Sequence, residues 1–131
     1  MISSEIIKIA SDTRNYGIKK KSLYVATCKN RLCGDRITVE VEISKNIIKK
    51  MHYETESCVF CEASASLLSK IIKKKTIKEF LSLADRVKKK KIVLTKKYQP
   101  FKKLFHFKHK ERINCVMLPF DALQKAISKT I

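Results

Sequence analysis

The stretch Arg36–Ile43, RITVEVEI, alternates apolar and polar side chains with a period of two. One set comprises Ile37, Val39, Val41 and Ile43, and the other comprises Arg36, Thr38, Glu40 and Glu42. Successive side chains of a β-strand point to opposite faces of the sheet. The pattern therefore predicts a half-buried strand with its apolar face toward a core and its polar face toward solvent.

Two further segments flank this strand at short distances along the chain. Residues 22–29 alternate in the same way, and the connection Asn30–Asp35, NRLCGD, has the composition of a turn. Residues 47–54 form a third predicted strand after the tight connection Ser44–Asn46. Three consecutive strands joined by short turns predict an antiparallel meander.

After the predicted sheet the chain adopts a helical period. Residues 59–73 carry apolar side chains at helical spacing. Thr76 and Glu79 then have the spacing of a capping box, which predicts a second helix. That helix ends in the lysine run 88–91, whose charge suits the negative end of a helix dipole.

The two ends of the chain add further predicted helices. A short helix is expected over residues 4–12, and a longer one begins at Cys115, whereas residues 92–111 fit neither period. Strands first and helices afterwards indicate an α+β fold, with helices packed on one face of a small antiparallel three-stranded sheet. The length and composition predict one domain over residues 1–131.

The charge of the chain suggests a different class of function. Its 131 residues include 30 Lys and Arg against 12 Asp and Glu, a formal net charge of +18, so a basic nucleic-acid-binding module is one hypothesis. Aromatic residues make up only 8% and form no RNA-binding motif. We therefore favour the interpretation that lysine runs such as 19–21, 73–75 and 88–91 cover solvated surface.

The sequence contains no membrane signal. No apolar run is long enough to span a bilayer, and MISSEIIKIASDTRN lacks the pattern of a secretory signal. We therefore expect a cytoplasmic protein with no membrane partner. Its five cysteines are expected to stay reduced, because their number is odd and cytoplasmic thiols are kept reduced.

Three cysteines occupy positions that suit a metal ligand. Cys33 lies in the predicted turn two residues before Asp35, and Cys58 and Cys115 each stand at the predicted start of a helix. Unpaired N–H groups at a helix N-terminus favour a thiolate over a thiol. Three thiolates and one carboxylate could hold zinc or an iron–sulfur cluster, although free cysteines are often only small buried side chains.

The remaining cysteines and the histidines carry weaker signals. Cys61 forms a CxxC pair with the cysteine three residues before it, but we interpret it as a small side chain packed in the helix, and Cys28 has no assigned role. His52 lies in a predicted strand among polar residues, and His106 and His109 lie in a basic segment. Imidazole could bind zinc or iron, yet these surroundings favour no metal role for the three.

Three segments of the chain resemble a known family in their residues and in their order. NRLCGDRITVEVEI at 30–43 resembles the CGD segment of the U-type iron–sulfur cluster scaffolds, the IscU, SufU and NifU N-terminal family. ESCVFCEASASLLS at 56–69 resembles that family's second cysteine segment, in which small residues pack a helix. RINCVMLPFDALQKAI at 112–127 is similar to its final segment, so the resemblance covers essentially the whole chain.

The resemblance implies a site, a cargo and partners. It places Cys33, Asp35, Cys58 and Cys115 on the family's ligand positions for iron, a [2Fe–2S] cluster or, in some members, Zn²⁺. It implies a pyridoxal-phosphate-dependent cysteine desulfurase as sulfur donor and apo iron–sulfur proteins as recipients. It also implies a scaffold rather than an enzyme, a sulfurtransferase at most. We choose Cys115 as the candidate sulfur-accepting thiol, because it lies near the aromatic stretch that precedes it. A structural zinc protein without sulfur chemistry stays an alternative.

The chain departs from the family pattern at several positions, and both the 56 residues between Cys58 and Cys115 and the presence of Arg112 resemble its SufU branch. Arg31 and Leu32 replace the proline-containing start of the first segment, and Ser57 replaces the glycine before the second cysteine. The chaperone-recognition stretch LPPVK is absent before Cys115, and Asn114 stands where IscU has a histidine. We therefore expect no dedicated chaperone partner. The choice between Fe–S and zinc as cargo stays open.

Overall fold

The computed structural model describes residues 4–31, 34–88 and 110–130 as an α+β arrangement, which confirms the predicted fold class. Its elements in chain order are α1 (Ser4–Ala10), β1 (Val25–Lys29), β2 (Arg36–Ser44), β3 (Ile47–Glu56), α2 (Val59–Ile71), α3 (Ile77–Lys88), α4 (Lys110–Ile127) and a 3₁₀ turn (Ser128–Thr130). The segment 89–109 lies outside the described residues, and with it most of the ambiguous stretch 92–111 and both His106 and His109.

The sheet is the predicted antiparallel meander, with strand order β1-β2-β3. Lys45 and Asn46 join β2 to β3 in a tight turn, and both have positive φ angles, 52° and 65°. This backbone conformation suits the twist of a two-residue hairpin. The third strand extends to Glu56, two residues beyond its predicted end, while β1 begins at Val25 and not at residue 22.

The core lies between one face of the sheet and helices α2 and α4, which also pack against each other. The apolar set of β2 faces this core, and Ile37, Val39 and Val41 are fully buried. Apolar side chains of α4 cover them, including the fully buried Phe120 and Leu123. Burial of this apolar area stabilises the fold and fixes the ends of α2 and α4 relative to the sheet.

The opposite face of the sheet differs from its prediction at Glu40. The prediction that this side chain faces solvent is wrong, because Glu40 is 0% exposed. Its carboxylate accepts backbone N–H bonds from Lys19 and Lys21, each at 2.9 Å, and from Ser22 at 3.2 Å. A connecting segment thus lies over the strand and supplies the hydrogen bonds that a buried carboxylate requires.

The predicted capping box of α3 is confirmed. The N–H of Glu79 donates to Thr76 Oγ1 at 3.0 Å, and the N–H of Thr76 donates to Glu79 Oε1 at 3.1 Å. These two bonds satisfy donors that a helix start leaves without intrahelical partners. In the described part of the chain, no helix is both long enough and apolar enough to cross a membrane.

Candidate metal centre

Three side chains from three different elements meet at one end of the sheet. Asp35 lies directly before β2, Cys58 directly before α2, and Cys115 within α4. One carboxylate oxygen of Asp35 and the two Sγ atoms all lie within 4.8 Å of one another. The structure therefore brings together three of the four ligands predicted from the sequence.

Asp35 connects the turn before β2 to the start of α2. Its side chain is buried, with 4% of its surface exposed. Asp35 Oδ1 accepts the backbone N–H of Cys58 at 3.1 Å, and Oδ2 accepts the Cys58 thiol at 3.3 Å. The carboxylate thus holds Cys58 through both its backbone and its sulfur.

Cys58 is the N-cap residue of α2, as predicted. Its backbone is extended, with φ −71° and ψ 165°, and its carbonyl accepts the N–H of Glu62 at 3.1 Å in the first turn of the helix. The Cys58 side chain makes no cap hydrogen bond to the helix. Its Sγ is consequently available to the site, while Asp35 satisfies the backbone N–H.

Cys115 does not stand at a helix start, and this prediction is wrong. Helix α4 begins at Lys110, so Cys115 lies inside the helix and is buried, with 1% of its surface exposed. The argument that a helix N-terminus would favour its thiolate therefore fails. Packing positions Cys115 instead, because Ser64 Oγ of α2 donates to the carbonyl of the adjacent Val116 at 2.6 Å.

The fourth predicted ligand, Cys33, lies outside the described residues. On either side of it, the N–H of Gly34 donates to the carbonyl of Asn30 at 2.8 Å. Gly34 adopts a φ of 76°, in the left-handed region that glycine tolerates best. This turn directs the chain into Asp35.

The other candidate ligands lie apart from the three-residue group. His52 is on β3 opposite Glu40, and its pKa is lowered, chiefly by burial. Cys28 is on β1 opposite Ile37, and burial raises the pKa of its thiol. Neither belongs to the group that could share one ion among the described residues.

Cys61 lies near the group but within the core. It is fully buried, and this burial raises the pKa of its thiol to about 12. A thiol with such a pKa stays protonated at neutral pH and is a poor nucleophile. This placement agrees with the interpretation of Cys61 as a packed side chain of α2.

The sequence analysis missed a second acidic group near the site. Glu62 lies one helical turn after Cys58, and its pKa is raised by burial and then by the negative charge of Asp35. The i, i+4 spacing from Cys58 was the available signal, because residues four apart lie on the same face of a helix. Two carboxylates near two thiols make this end of the molecule attractive to a metal cation.

The set of donor atoms fits a metal such as zinc or iron. Zinc accepts both cysteine sulfur and carboxylate oxygen at about 2.0–2.3 Å, and iron–sulfur clusters are held mainly by thiolates. Donor atoms within 4.8 Å of one another need only small side-chain movements to reach one ion. The described residues supply three donors and leave one position of a tetrahedral site for a further ligand.

Comparison with known proteins gives one consistent family. The sequence-family model described as the NifU-like N terminal domain matches residues 1–130 of this chain. The chain is 31% identical over 123 residues to the zinc-dependent sulfurtransferase SufU of Bacillus subtilis, covering 88% of this chain and 82% of that protein. It is 27% identical over 128 residues to an iron–sulfur cluster assembly scaffold protein IscU of Archaeoglobus fulgidus, covering 97% and 74%.

A solved structure shows the same fold. The crystal structure of the N-terminal part of a NifU-like protein from Brucella abortus superposes with a TM-score of 0.84. The alignment covers 97% of this chain and 92% of that chain at 22% sequence identity.

Proposed function

The chain belongs to the family of NifU-like N-terminal domains, and from this premise we propose that it carries a zinc ion or a nascent iron–sulfur cluster as cargo. Asp35, Cys58 and Cys115 would hold the cargo, with Cys33 as the fourth donor. The observation that carries the proposal is that three donor atoms from distant parts of the chain lie within 4.8 Å of one another. One domain over residues 1–131 would suffice, since the described core is continuous.

Asp35 is suited to a site that must release what it holds. A carboxylate binds soft metals less strongly than a thiolate does, so one oxygen ligand makes the site more exchangeable than four cysteines would. The Cys58 N–H donates to Oδ1 and so orients Asp35, while Oδ2 would bind and release the cargo. The Cys58 thiol donates to Oδ2, so release of this proton to solvent on metal binding would leave both the sulfur and Oδ2 facing one ion.

In this proposal, Cys115 is the residue that accepts the sulfur atom. A persulfide on the cysteine of a pyridoxal-phosphate-dependent desulfurase would be attacked at its outer sulfur by the Cys115 thiolate. A new S–S bond forms on Cys115 as the partner's S–S bond breaks, and the partner's cysteine leaves as a thiolate. Because Cys115 is 1% exposed, it must first move out of its packed position, so ligand exchange at the site would precede the transfer.

The cargo and the activity have two candidate forms. In the first, the chain is a scaffold that passes a [2Fe–2S] cluster or iron to recipient apoproteins in the cytoplasm, where thiols stay reduced. In the second, it is a zinc-dependent sulfurtransferase that accepts sulfur from a desulfurase. The similarity to the Bacillus subtilis protein of that name supports the second form.

Metal and acid-labile sulfide analysis of protein purified without oxygen tests the proposal. We expect about one zinc per chain, or iron with matching sulfide, in the wild type. Cys58→Ser and Cys115→Ser should lose most of that metal, whereas Cys28→Ser, which changes a half-buried cysteine outside the group, should retain it. Retention of metal by both site variants would refute the site.

A second measurement separates the two forms. The rate of sulfide or alanine production by a cysteine desulfurase is measured with and without this chain. A zinc-dependent sulfurtransferase should stimulate the desulfurase, and alkylation followed by mass spectrometry should find the persulfide on Cys115. A persulfide on Cys58 alone would contradict the assignment of Cys115.

A further inference from the structure

A groove with a volume of about 580 Å³ lies at the end of the molecule opposite the metal centre. Its apolar surface comes from Ile77 and Leu81 of α3 and from Ile127 at the end of α4. Leu81 is 40% exposed and therefore contributes apolar surface to the groove. Along α4, Ile127 lies about 18 Å from Cys115, because a helix rises 1.5 Å per residue.

Backbone hydrogen bonds bring two lysine-containing segments to one edge of this groove. The N–H of Lys74 donates to the carbonyl of Ile48 at 2.8 Å, and the N–H of Ile48 donates to the carbonyl of Lys75 at 2.8 Å. The N–H of Ile77 donates to the carbonyl of Asn46 at 2.9 Å. The connection between α2 and α3 is therefore fixed against the β2–β3 turn.

The lysines of these segments are largely uncompensated. Lys75 pairs with Glu79 at 3.7 Å. Within residues 4–31, 34–88 and 110–130, no ion pair involves the neighbouring exposed lysines, which are Lys45, Lys73, Lys74 and Lys78. Lys78 lines the groove itself, so positive charge extends to the margin of the apolar surface.

We propose that this groove binds an acidic, amphipathic helical segment of a partner protein. The apolar face of such a helix would cover Leu81, and its carboxylates would face the lysines at the margin. A nucleic acid offers phosphates but would leave the apolar surface exposed, so a protein segment fits both features better. The distance from Cys115 means that a partner could be held here while the metal centre stays open.

The test uses the whole chain and a defined peptide as the probe. The probe is a fluorescein-labelled helix-forming peptide with leucines at i, i+3, i+4 and i+7 and glutamates on its other face. Fluorescence anisotropy should show binding at low ionic strength that is at least about 10-fold tighter than for two matched peptides. In one, lysines replace the glutamates, and in the other, serines replace the leucines.

Variants of the chain then locate the binding. We expect Leu81→Gln and Lys78→Gln each to weaken binding of the acidic probe about 10-fold, since one removes apolar contact and the other charge. The matched controls are Leu23→Gln and Lys20→Gln. Leu23 is 92% exposed and neither residue lines the groove, so these variants should bind as the wild type does.

Three results would overturn the inference. Equal weakening by Leu23→Gln and Leu81→Gln would mean that the groove is not the binding surface. Equal affinity for the acidic and basic peptides would remove the role of the lysines. Displacement of the probe by a DNA duplex at equal concentration, with binding insensitive to Leu81→Gln, would identify a nucleic-acid surface instead. The zinc content of Leu81→Gln stays at the wild-type value in every case, which separates this inference from the proposed metal site.

Discussion

Substitution of Asp35 separates two roles that the structure gives to its carboxylate. Oδ1 accepts the N–H of Cys58 at the start of α2, and Oδ2 is a candidate metal ligand beside the Cys58 sulfur. Asp35→Asn keeps the size of the side chain and a carbonyl oxygen for the N–H, but it removes the negative charge. Asp35→Ala removes both interactions.

The expected magnitudes follow from this difference. Asp35→Ala leaves a poorly exposed N–H at the start of a helix without its acceptor, which should lower the free energy of unfolding by about 1–2 kcal/mol. Asp35→Asn should lower it by less than about 1 kcal/mol. Both should weaken zinc binding by at least about 10–100-fold, because even an outer-shell partner of a zinc ligand has that effect.

Two assays measure these effects independently. Urea denaturation of the metal-free proteins gives the free energy of unfolding, and competition with a chromogenic chelator gives the zinc affinity. Glu56→Gln is the matched control, because it removes an exposed negative charge near the site without changing a proposed ligand. Wild-type zinc affinity in Asp35→Asn, or equal destabilisation by the Asn and Ala variants, would refute the reasoning.

Three further predictions concern other groups. Glu40→Ala leaves three backbone N–H groups without an acceptor, so the free energy of unfolding measured by urea denaturation should fall by about 3–5 kcal/mol. A decrease below about 1 kcal/mol would contradict the burial argument. Hydrogen bonding, chiefly from Lys70, lowers the pKa of Asp12 from 3.8 to about 2, so its stabilising effect is complete above pH 3.8 and is lost as the pH falls toward 2. In Asp12→Asn the free energy of unfolding should therefore change less between pH 3.8 and pH 2 than in the wild type. An unchanged dependence on pH would exclude this role of Asp12. In metal-free protein, iodoacetamide at mildly alkaline pH should alkylate Cys58 before Cys61, whose buried thiol has a pKa of about 12, and peptide mapping that finds the reverse order would be inconsistent with the structure.

The sheet could be predicted from sequence because its signals are local. The alternation in residues 36–43 and the tight connection before Ile47 predict two paired strands, whereas the register shift between Glu42 and Ile43 has no local signal. The start of β1 was predicted too early, because Ser22 uses its hydroxyl to form a turn, accepting the N–H of Tyr24 at 3.0 Å. A single hydrogen bond of this kind does not repeat along the chain, so the alternation of apolar and polar residues cannot predict it.

Glu40 shows where alternation gives the wrong environment. Its position on the polar face of β2 follows from the period of two, but its burial depends on the segment that contains Lys19, Lys21 and Ser22. That segment is distant in sequence and polar in composition. Its placement over the strand is a tertiary effect, which local pattern does not encode.

The site was predictable in its parts but not in its assembly. Asp35 and Cys58 stand at a turn and a helix start, and both features have local signals. The start of α4 was placed at Cys115 because the apolar period begins there, whereas the helix begins at Lys110. Lysine, glutamate and arginine favour helices without adding an apolar stripe, so the first turns gave no periodic signal.

The three donor side chains come from positions 35, 58 and 115, and this separation would couple binding of the proposed cargo to folding. An unfolded chain rarely brings donors this distant in sequence within 4.8 Å of one another, so an ion held by them would bind the native state almost exclusively. Each tenfold gain in free zinc above the dissociation constant then adds about 1.4 kcal/mol to the unfolding free energy. If the proposed cargo is bound, its release therefore returns the chain to the less stable metal-free form.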